Sequence, residues 1–183
     1  MSSTHPRLSR SSLGLLALAL ACSALVAQRA LSEPRTASRA LSAQQQLGVS
    51  TVRDLSGRVV PLLSDKTPVI IMVNSRTCPW CKKSLRDIGQ IAAGQPLPRL
   101  TVLTLEGAAY GKPMLESEGI AGARLVGPVG SAADLQASLR QAGTPVFIAV
   151  DATGRVLATM PGYPIYEEMK RWVAVMSGAA DSP

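Results

Sequence analysis

Cys78-Pro79-Trp80-Cys81 is the stretch that most narrows what this chain can fold into. It follows an unbroken apolar run, Pro68-Val69-Ile70-Ile71-Met72-Val73, and leads into a segment with helical periodicity, Lys82 to about Ala93. A strand that is apolar at every position has both faces covered, as in the middle of a parallel sheet with helices on each side. In the following segment Leu85, Ile88, Ile91 and Ala92 recur at helical spacing. Lys82, Lys83, Arg86 and Asp87 fall on the other face, and Gly94 can end the helix. The two cysteines therefore stand where a buried strand hands over to a helix N-terminus. Amides of a helix's first turn lack partners and carry partial positive charge, which stabilises a thiolate there. Helix-start cysteines of this kind have pKa values lowered to roughly 3.5–7.5, and the thiolate is the form that attacks disulfides. A drop of ~2 units favours the charged form by about 3 kcal/mol. Two thiols at this spacing can close into a small ring and open again at modest cost.

The counts of cysteine and histidine exclude much else. Cys22 lies near the N-terminus, in a segment read below as a leader, so Cys78 and Cys81 are the only pair in the remainder. A disulfide framework needs more cysteines, wider spacing and a smaller chain. The single histidine, His5, is also in the leader, so the rest of the chain cannot run a Ser-His-Asp or Cys-His mechanism. A zinc site would have no usual ligand beyond the one cysteine pair. No metal or other cofactor is expected, although metal carriage by two thiolates stays open beside a redox role. So does a structural disulfide in a partner-binding module without turnover. The formal net charge is +7. The first 27 residues hold two of the 19 basic residues and none of the 12 acidic ones, which leaves +5 for the rest. Aromatics are 3% of the chain and no basic run is interleaved with them, so nucleic acid is not an expected partner.

Three regions follow from the pass along the chain. Residues 1–27 begin with Arg7 and Arg10 and continue in an apolar run, Leu13 to Ala27, of signal-peptide length but short for a membrane span. They read as a signal peptide or an N-terminal membrane anchor. Cleavage after Ala27 puts Leu25 where a small residue is preferred, and Ala19-Leu20-Ala21-Cys22 resembles a lipoprotein signal with Ala19 in place of Leu. Cleavage, retention and lipidation at Cys22 all stay open. Residues 28–48, rich in Ala, Ser, Gln and Arg, read as a tether, with a short helix possible over Arg39 to Leu47. Residues 49–183 hold the domain.

Within that domain, Ser50–Arg53 and Arg58–Leu62 flank the turn signal Asp54-Leu55-Ser56-Gly57 and predict a hairpin. Arg99 to Glu106 alternates and predicts a second core strand. Residues 107–130 are glycine-rich and read as a loop with a turn of helix around Pro113–Glu118. Their glycines form no dinucleotide fingerprint, and Gly111-Lys112 is no phosphate loop. Ser131 can cap a helix to about Leu139 and Arg140, with Leu135 and Leu139 inward. Gly143-Thr144-Pro145 then opens a third strand, Val146–Val150, followed by a turn at 151–154 and a returning strand, Arg155–Met160. A last helix over about Pro164–Met176 has Ile165, Met169, Trp172, Val173 and Met176 as its apolar stripe, with Trp172 in the core.

This order, with a cysteine pair at a helix start and a Thr-Pro strand some sixty residues later, resembles the thioredoxin fold over about 49–177. Within that superfamily the chain is most similar to exported, often membrane-tethered thiol–disulfide oxidoreductases of the TlpA type. The fold implied is α/β: a thioredoxin fold with an N-terminal β-hairpin extension and a central mixed sheet flanked by helices. The resemblance implies that Pro145 is cis and packs beside the pair, that the Thr144 backbone pairs with a bound substrate strand, and that Gly162 lets the last hairpin approach the active-site helix. Two departures stand out. Thioredoxin itself has a buried acid six residues before the first cysteine, where this chain has Met72, and Glu106 is the available substitute if it lies below the cysteines. The inner pair Pro79-Trp80 is similar to the Pro-aromatic pair of glutaredoxins rather than to the Gly-Pro of thioredoxin.

The expected catalytic residues are Cys78, which attacks a substrate disulfide, and Cys81, which resolves the mixed disulfide. Pro79, Trp80, Thr144 and Pro145 support the site, Trp80 as a partly exposed ring beside the sulfurs. Lys82 and Lys83 add positive potential near Cys78 or simply face solvent. The expected partners are protein dithiols or disulfides and a separate redox donor or acceptor protein. The domain is expected to be exported to the periplasm or another extracytoplasmic space, with or without an inner-membrane anchor. The motif leaves the direction of electron flow open, and the resemblance to tethered relatives implies a reductant.

Overall fold

A computed structural model describes residues 43–63 and 67–183. The expectations for the leader, for Cys22 and for Arg39–Ser42 lie outside the described residues. Two short strands, β1 (Thr51–Arg53) and β2 (Val59–Pro61), form the expected antiparallel hairpin, with Val52 opposite Val60. Asp54 closes its turn by accepting from the Ser56 and Arg58 amides and from both side chains. Those bonds, the Ser56 hydroxyl first, lower the Asp54 pKa to about 2.

The central sheet has five strands in the order β5-β4-β3-β6-β7. They are β3 (Val69–Asn74), β4 (Leu100–Thr104), β5 (Arg124–Val126), β6 (Val146–Val150) and β7 (Val156–Pro161). β3 runs parallel to β4 and antiparallel to β6, so the apolar run before the cysteines is the middle strand, as its composition requires. Alternation along β3 divides the core. Ile70 and Met72 pack with Cys81, Leu85, Ile88, Phe147 and Trp172 on one face. Ile71 and Val73 pack with Val52, Leu62, Leu135, Leu139 and Ile148 on the other. The hairpin thus covers one face of the sheet together with α3 (Ala132–Ser138), which Ser131 caps as expected, in a reciprocal box with Asp134. The first face is covered by α1 (Pro79–Ala92) and α4 (Tyr166–Ser177).

Several expectations need correction. The glycine-rich stretch 107–130 is not a loop: it contains a ten-residue helix, α2 (Ala108–Ser117), and the edge strand β5. Pro113 and the glycines argue against a helix by propensity, but packing overrides them. A Cβ on Gly111 would lie 2.6 Å from both Leu125 Cδ2 and Thr104 Oγ1, so its absence lets α2 close onto β4 and β5. On α1, a Cβ on Gly89 would lie 2.1 Å from the Glu118 carbonyl oxygen, which seats the segment after α2 directly on the active-site helix. The helix α1 starts at Pro79 instead of Lys82, and Ala93 is its first left-handed residue, with Gly94 the second. Asp87 was expected on the solvent face and is buried. Ile165 was expected in the stripe of α4; it precedes the helix and is exposed, and Val175 is buried in that helix instead.

The segment expected as a tether, 28–48, is attached to the domain at its end. The Gln44 and Leu47 amides donate to Val156 and Gly154, Val156 donates back to Gln45, and Leu47 is buried against the second core. No helix forms over residues 43–47.

Candidate active site

The turn between β3 and α1 presents the cysteine motif. Cys78 is the N-cap of α1, with extended backbone (φ −86°, ψ 110°), and its sulfur accepts from the Cys81 amide at 3.2 Å. Pro79 takes the first helical position, where a missing N–H costs nothing. Both cysteines are free thiols; Cys78 is partly exposed and Cys81 is fully buried in the first core. The loop before Cys78 is held by Glu106, which accepts from the Ser75 hydroxyl at 2.6 Å and the Arg76 amide at 3.1 Å. Glu106 therefore clasps the approach to the motif from an exposed strand end and makes its bonds to Ser75 and Arg76 rather than to either cysteine. Met72 fills the space of the absent acid with apolar core.

Across from the pair, the Thr144–Pro145 peptide bond is cis, as the resemblance implied. The Cys78 thiol donates to the Thr144 carbonyl at 3.2 Å, which holds the proline loop against the Cys78 sulfur. Gly162 has the left-handed backbone (φ 82°) open to glycine, and its amide donates to the Pro145 carbonyl at 2.8 Å. Trp80 is 56% exposed and packs on Tyr163 with ring centres 5.6 Å apart. Lys83 pairs with Asp87 at 3.1 Å, whereas Lys82 and Arg76 border a separate recess with Leu85, Pro113 and Met114.

The environment separates the two thiols. Partial burial pushes Cys78 up, but bonds from the Cys81 and Thr144 side chains and the Cys81 and Trp80 amides outweigh it, leaving its pKa below the ordinary value. Burial, then the hydrogen bond and charge of Cys78, pushes Cys81 up to about 12. The environment thus favours the thiolate at Cys78 relative to an ordinary cysteine and disfavours it at Cys81. The structure brings Cys78, Pro79, Trp80, Cys81, Thr144 and Pro145 together in space, and Trp172 lies in the core as expected. Sequence reasoning missed Tyr163 and Asp87. The available signal was an aromatic directly after Gly162 in a chain with only three tyrosines.

A cysteine pair capping a helix on a central β3 strand, opposed by a cis-proline at the start of β6, defines a thioredoxin-fold protein. The family model described as a thioredoxin-like domain matches residues 61–176, and the chain belongs to that family. Solved structures agree on the fold. One is the thioredoxin domain of a thiol-disulfide oxidoreductase from Bacteroides vulgatus, at 18% identity, covering 73% of this chain and 99% of that one, with a TM-score of 0.53. A second is a thiol:disulfide interchange protein from a Bacteroides species, at 20% identity, covering 73% and 91%, with a TM-score of 0.55. A third is a secreted Mycobacterium tuberculosis disulfide oxidoreductase, at 17% identity, covering 68% and 94%, with a TM-score of 0.50. No curated protein matches the chain in sequence. Among the described residues, no helix is long and apolar enough to cross a membrane, and no three acidic, cysteine or histidine side chains converge as a metal site.

Proposed function

We propose that this protein exchanges disulfides with protein substrates through Cys78 and Cys81. The observation that carries the reading is the asymmetry of the pair: a partly exposed Cys78 sulfur with a lowered pKa against the Thr144 carbonyl of the Pro145 loop, and a buried Cys81 thiol with a raised one behind it. In the reducing direction the Cys78 thiolate attacks one sulfur of a substrate disulfide. The substrate S–S bond breaks, its distal sulfur leaves as a thiolate, and a mixed disulfide forms. Cys81 then gives up its proton and attacks the Cys78 sulfur, releasing the second substrate thiol and closing the 78–81 disulfide. Two electrons pass to the substrate, and a separate dithiol protein returns them. Every step is reversible, so the same residues oxidise a dithiol if the pair starts closed.

Pro79 sets the geometry of the ring, Trp80 and Pro145 flank the attacked sulfur, and the Thr144 backbone aligns the substrate strand. The apolar leader supports export, with residues 1–27 as signal or anchor, 28–48 as a spacer whose last residues, Gln44 to Leu47, dock on the domain, and 49–183 as the working domain. Similarity to a secreted oxidoreductase supports the same address. Reduction is the direction we favour, because the tethered oxidoreductases that the sequence resembles mostly work that way. Insulin reduction under dithiothreitol tests the activity. The protein is expected to accelerate precipitation of the freed insulin chain well beyond dithiothreitol alone, and a rate no higher than that control contradicts the proposal.

A further inference from the structure

Tyr163 stands between the cysteine motif and the Pro145 loop, and the exchange chemistry above makes no use of it. The Gly162–Pro145 hydrogen bond of 2.8 Å sets residue 163 beside the cis-proline. Three contacts then fix its side chain. The ring packs 5.6 Å from Trp80, the Lys83 ammonium lies 4.6 Å from its centre, and its hydroxyl donates to the Asp87 carboxylate. Asp87 is only 7% exposed and also takes Lys83 at 3.1 Å, so its charge is compensated inside the protein. Asp87 thus acts as a positioning residue for the Tyr163 ring.

Trp80, Thr144, Pro145, Gly162 and Tyr163 together wall a recess of about 340 Å³. One of its lining residues, Thr144, is the residue whose carbonyl lies 3.2 Å from the Cys78 sulfur. Farther along the chain from Tyr163, Ile165 and Tyr166 are 71% and 50% exposed. The chain has six aromatic residues, two Trp, three Tyr and one Phe, and Trp80, Tyr163 and Tyr166 are three of them. Of these rings, exposed Trp80 and half-buried Tyr163 line the recess itself, which makes it an apolar surface next to the cysteine motif in a chain poor in aromatics.

We propose that Tyr163, held by Asp87 and Lys83, is a specificity-determining residue of the exchange reaction. With Trp80 it forms the wall that takes an aliphatic or aromatic side chain next to the substrate's reactive cysteine. The occupant is an extended segment of the substrate protein. Two rings, a proline, a glycine and Thr144 line the recess, none of them charged. Lys83 on the Tyr163 ring is already paired with Asp87, so a charged side chain entering the recess loses water without meeting a charged lining residue. The inference rests on the exchange function proposed above.

Peptides carrying one cysteine capped by thionitrobenzoate, flanked by either leucine or serine, test it, with dithiothreitol as the regenerating reductant. The Cys78 thiolate displaces the thionitrobenzoate thiolate, and Cys81 then displaces the peptide thiol as the 78–81 disulfide forms. Two electrons pass from the pair to the capped peptide, and dithiothreitol reopens the pair as it cyclises to its own disulfide. The wild type is expected to favour the leucine peptide by about tenfold in kcat/KM, chiefly through KM. Tyr163→Ala is expected to bring that preference below about twofold, Tyr163→Phe to keep most of it, and Asp87→Ala to fall between them through KM. Trp80→Ala, at an exposed position, is expected to lower the preference as well and serves if Tyr163→Ala does not fold. Equal rates of the wild type on both peptides, or an undiminished preference in folded Tyr163→Ala or Trp80→Ala, overturn the inference and leave exchange intact. Release of thionitrobenzoate no faster than with dithiothreitol alone overturns the exchange reading itself.

Discussion

Cys81→Ser is expected to turn a catalyst into a trap. Cys78 keeps its place at the N-cap, its contact with Thr144 and its exposure, so the first attack on a substrate disulfide proceeds. The buried thiol that releases the product is gone, and serine oxygen does not resolve a mixed disulfide. A covalent adduct through Cys78 then accumulates in stoichiometric amount, visible on a non-reducing gel and lost on addition of dithiothreitol. The converse variant, Cys78→Ser, is expected to give no adduct and no turnover. The side chain at 81 is fully buried, so Cys81→Ser places a hydroxyl among apolar groups and costs about 1–3 kcal/mol of stability. Trapping is therefore measured on protein whose folding has been checked by circular dichroism. Absence of any adduct from folded Cys81→Ser protein contradicts the roles assigned to the two sulfurs.

Alkylation of the reduced wild type by iodoacetamide is the second large expected effect. Modification requires a thiolate in contact with solvent. Cys78 is lowered from 9.0 and partly exposed, so its rate is expected to reach half of its plateau at a pH below 9.0. Cys81, at about 12 and buried, carries a thiolate in about one molecule in 10⁵ at neutral pH. Of the two cysteines in the pair, peptide mapping should find the label on Cys78 and not on Cys81. The linkage to folding has the matching sign. A group raised in the folded state contributes its full share below its unfolded pKa, so the Cys81 contribution is complete below pH 9.0 and is lost as pH rises towards about 12. Label on both cysteines at similar rates, or a Cys78 midpoint at or above 9.0, contradicts the asymmetry.

What the sequence made legible, and what it hid, divides by the distance over which the determining contacts act. β3 and α1 were readable because a strand apolar at every position and a helix stripe are local patterns, and the cysteines sit at their junction. The Thr-Pro strand was readable because its motif is short and its partner, the cysteine pair, is distinctive. The helix α2 was not, since Pro113 and the glycines suppress its intrinsic propensity while the stabilising contact, Gly111 against Thr104 and Leu125, is tertiary. Asp87 looked like a surface residue because its helix position faces away from Leu85 and Ile88. The hydroxyl that accompanies it inward belongs to Tyr163, 76 residues later. Glu106 carried an ambiguous signal that only geometry could resolve: a carboxylate at a strand end can lie under a cysteine pair or clasp the loop in front of it. Here the Ser75 hydroxyl and Arg76 amide capture it.

The most direct single measurement is a count of free thiols after equilibration in glutathione buffers of stepped redox ratio. A pair built to cycle loses both thiols together in one two-electron transition, and proteolytic mapping joins Cys78 to Cys81. The midpoint is expected between about −270 and −120 mV, the span from thioredoxin to DsbA, with a value near the lower end marking a reductant. A Cys78 and Cys81 that both stay free under oxidising buffer, or a bond between them that excess dithiothreitol leaves closed, would contradict the account.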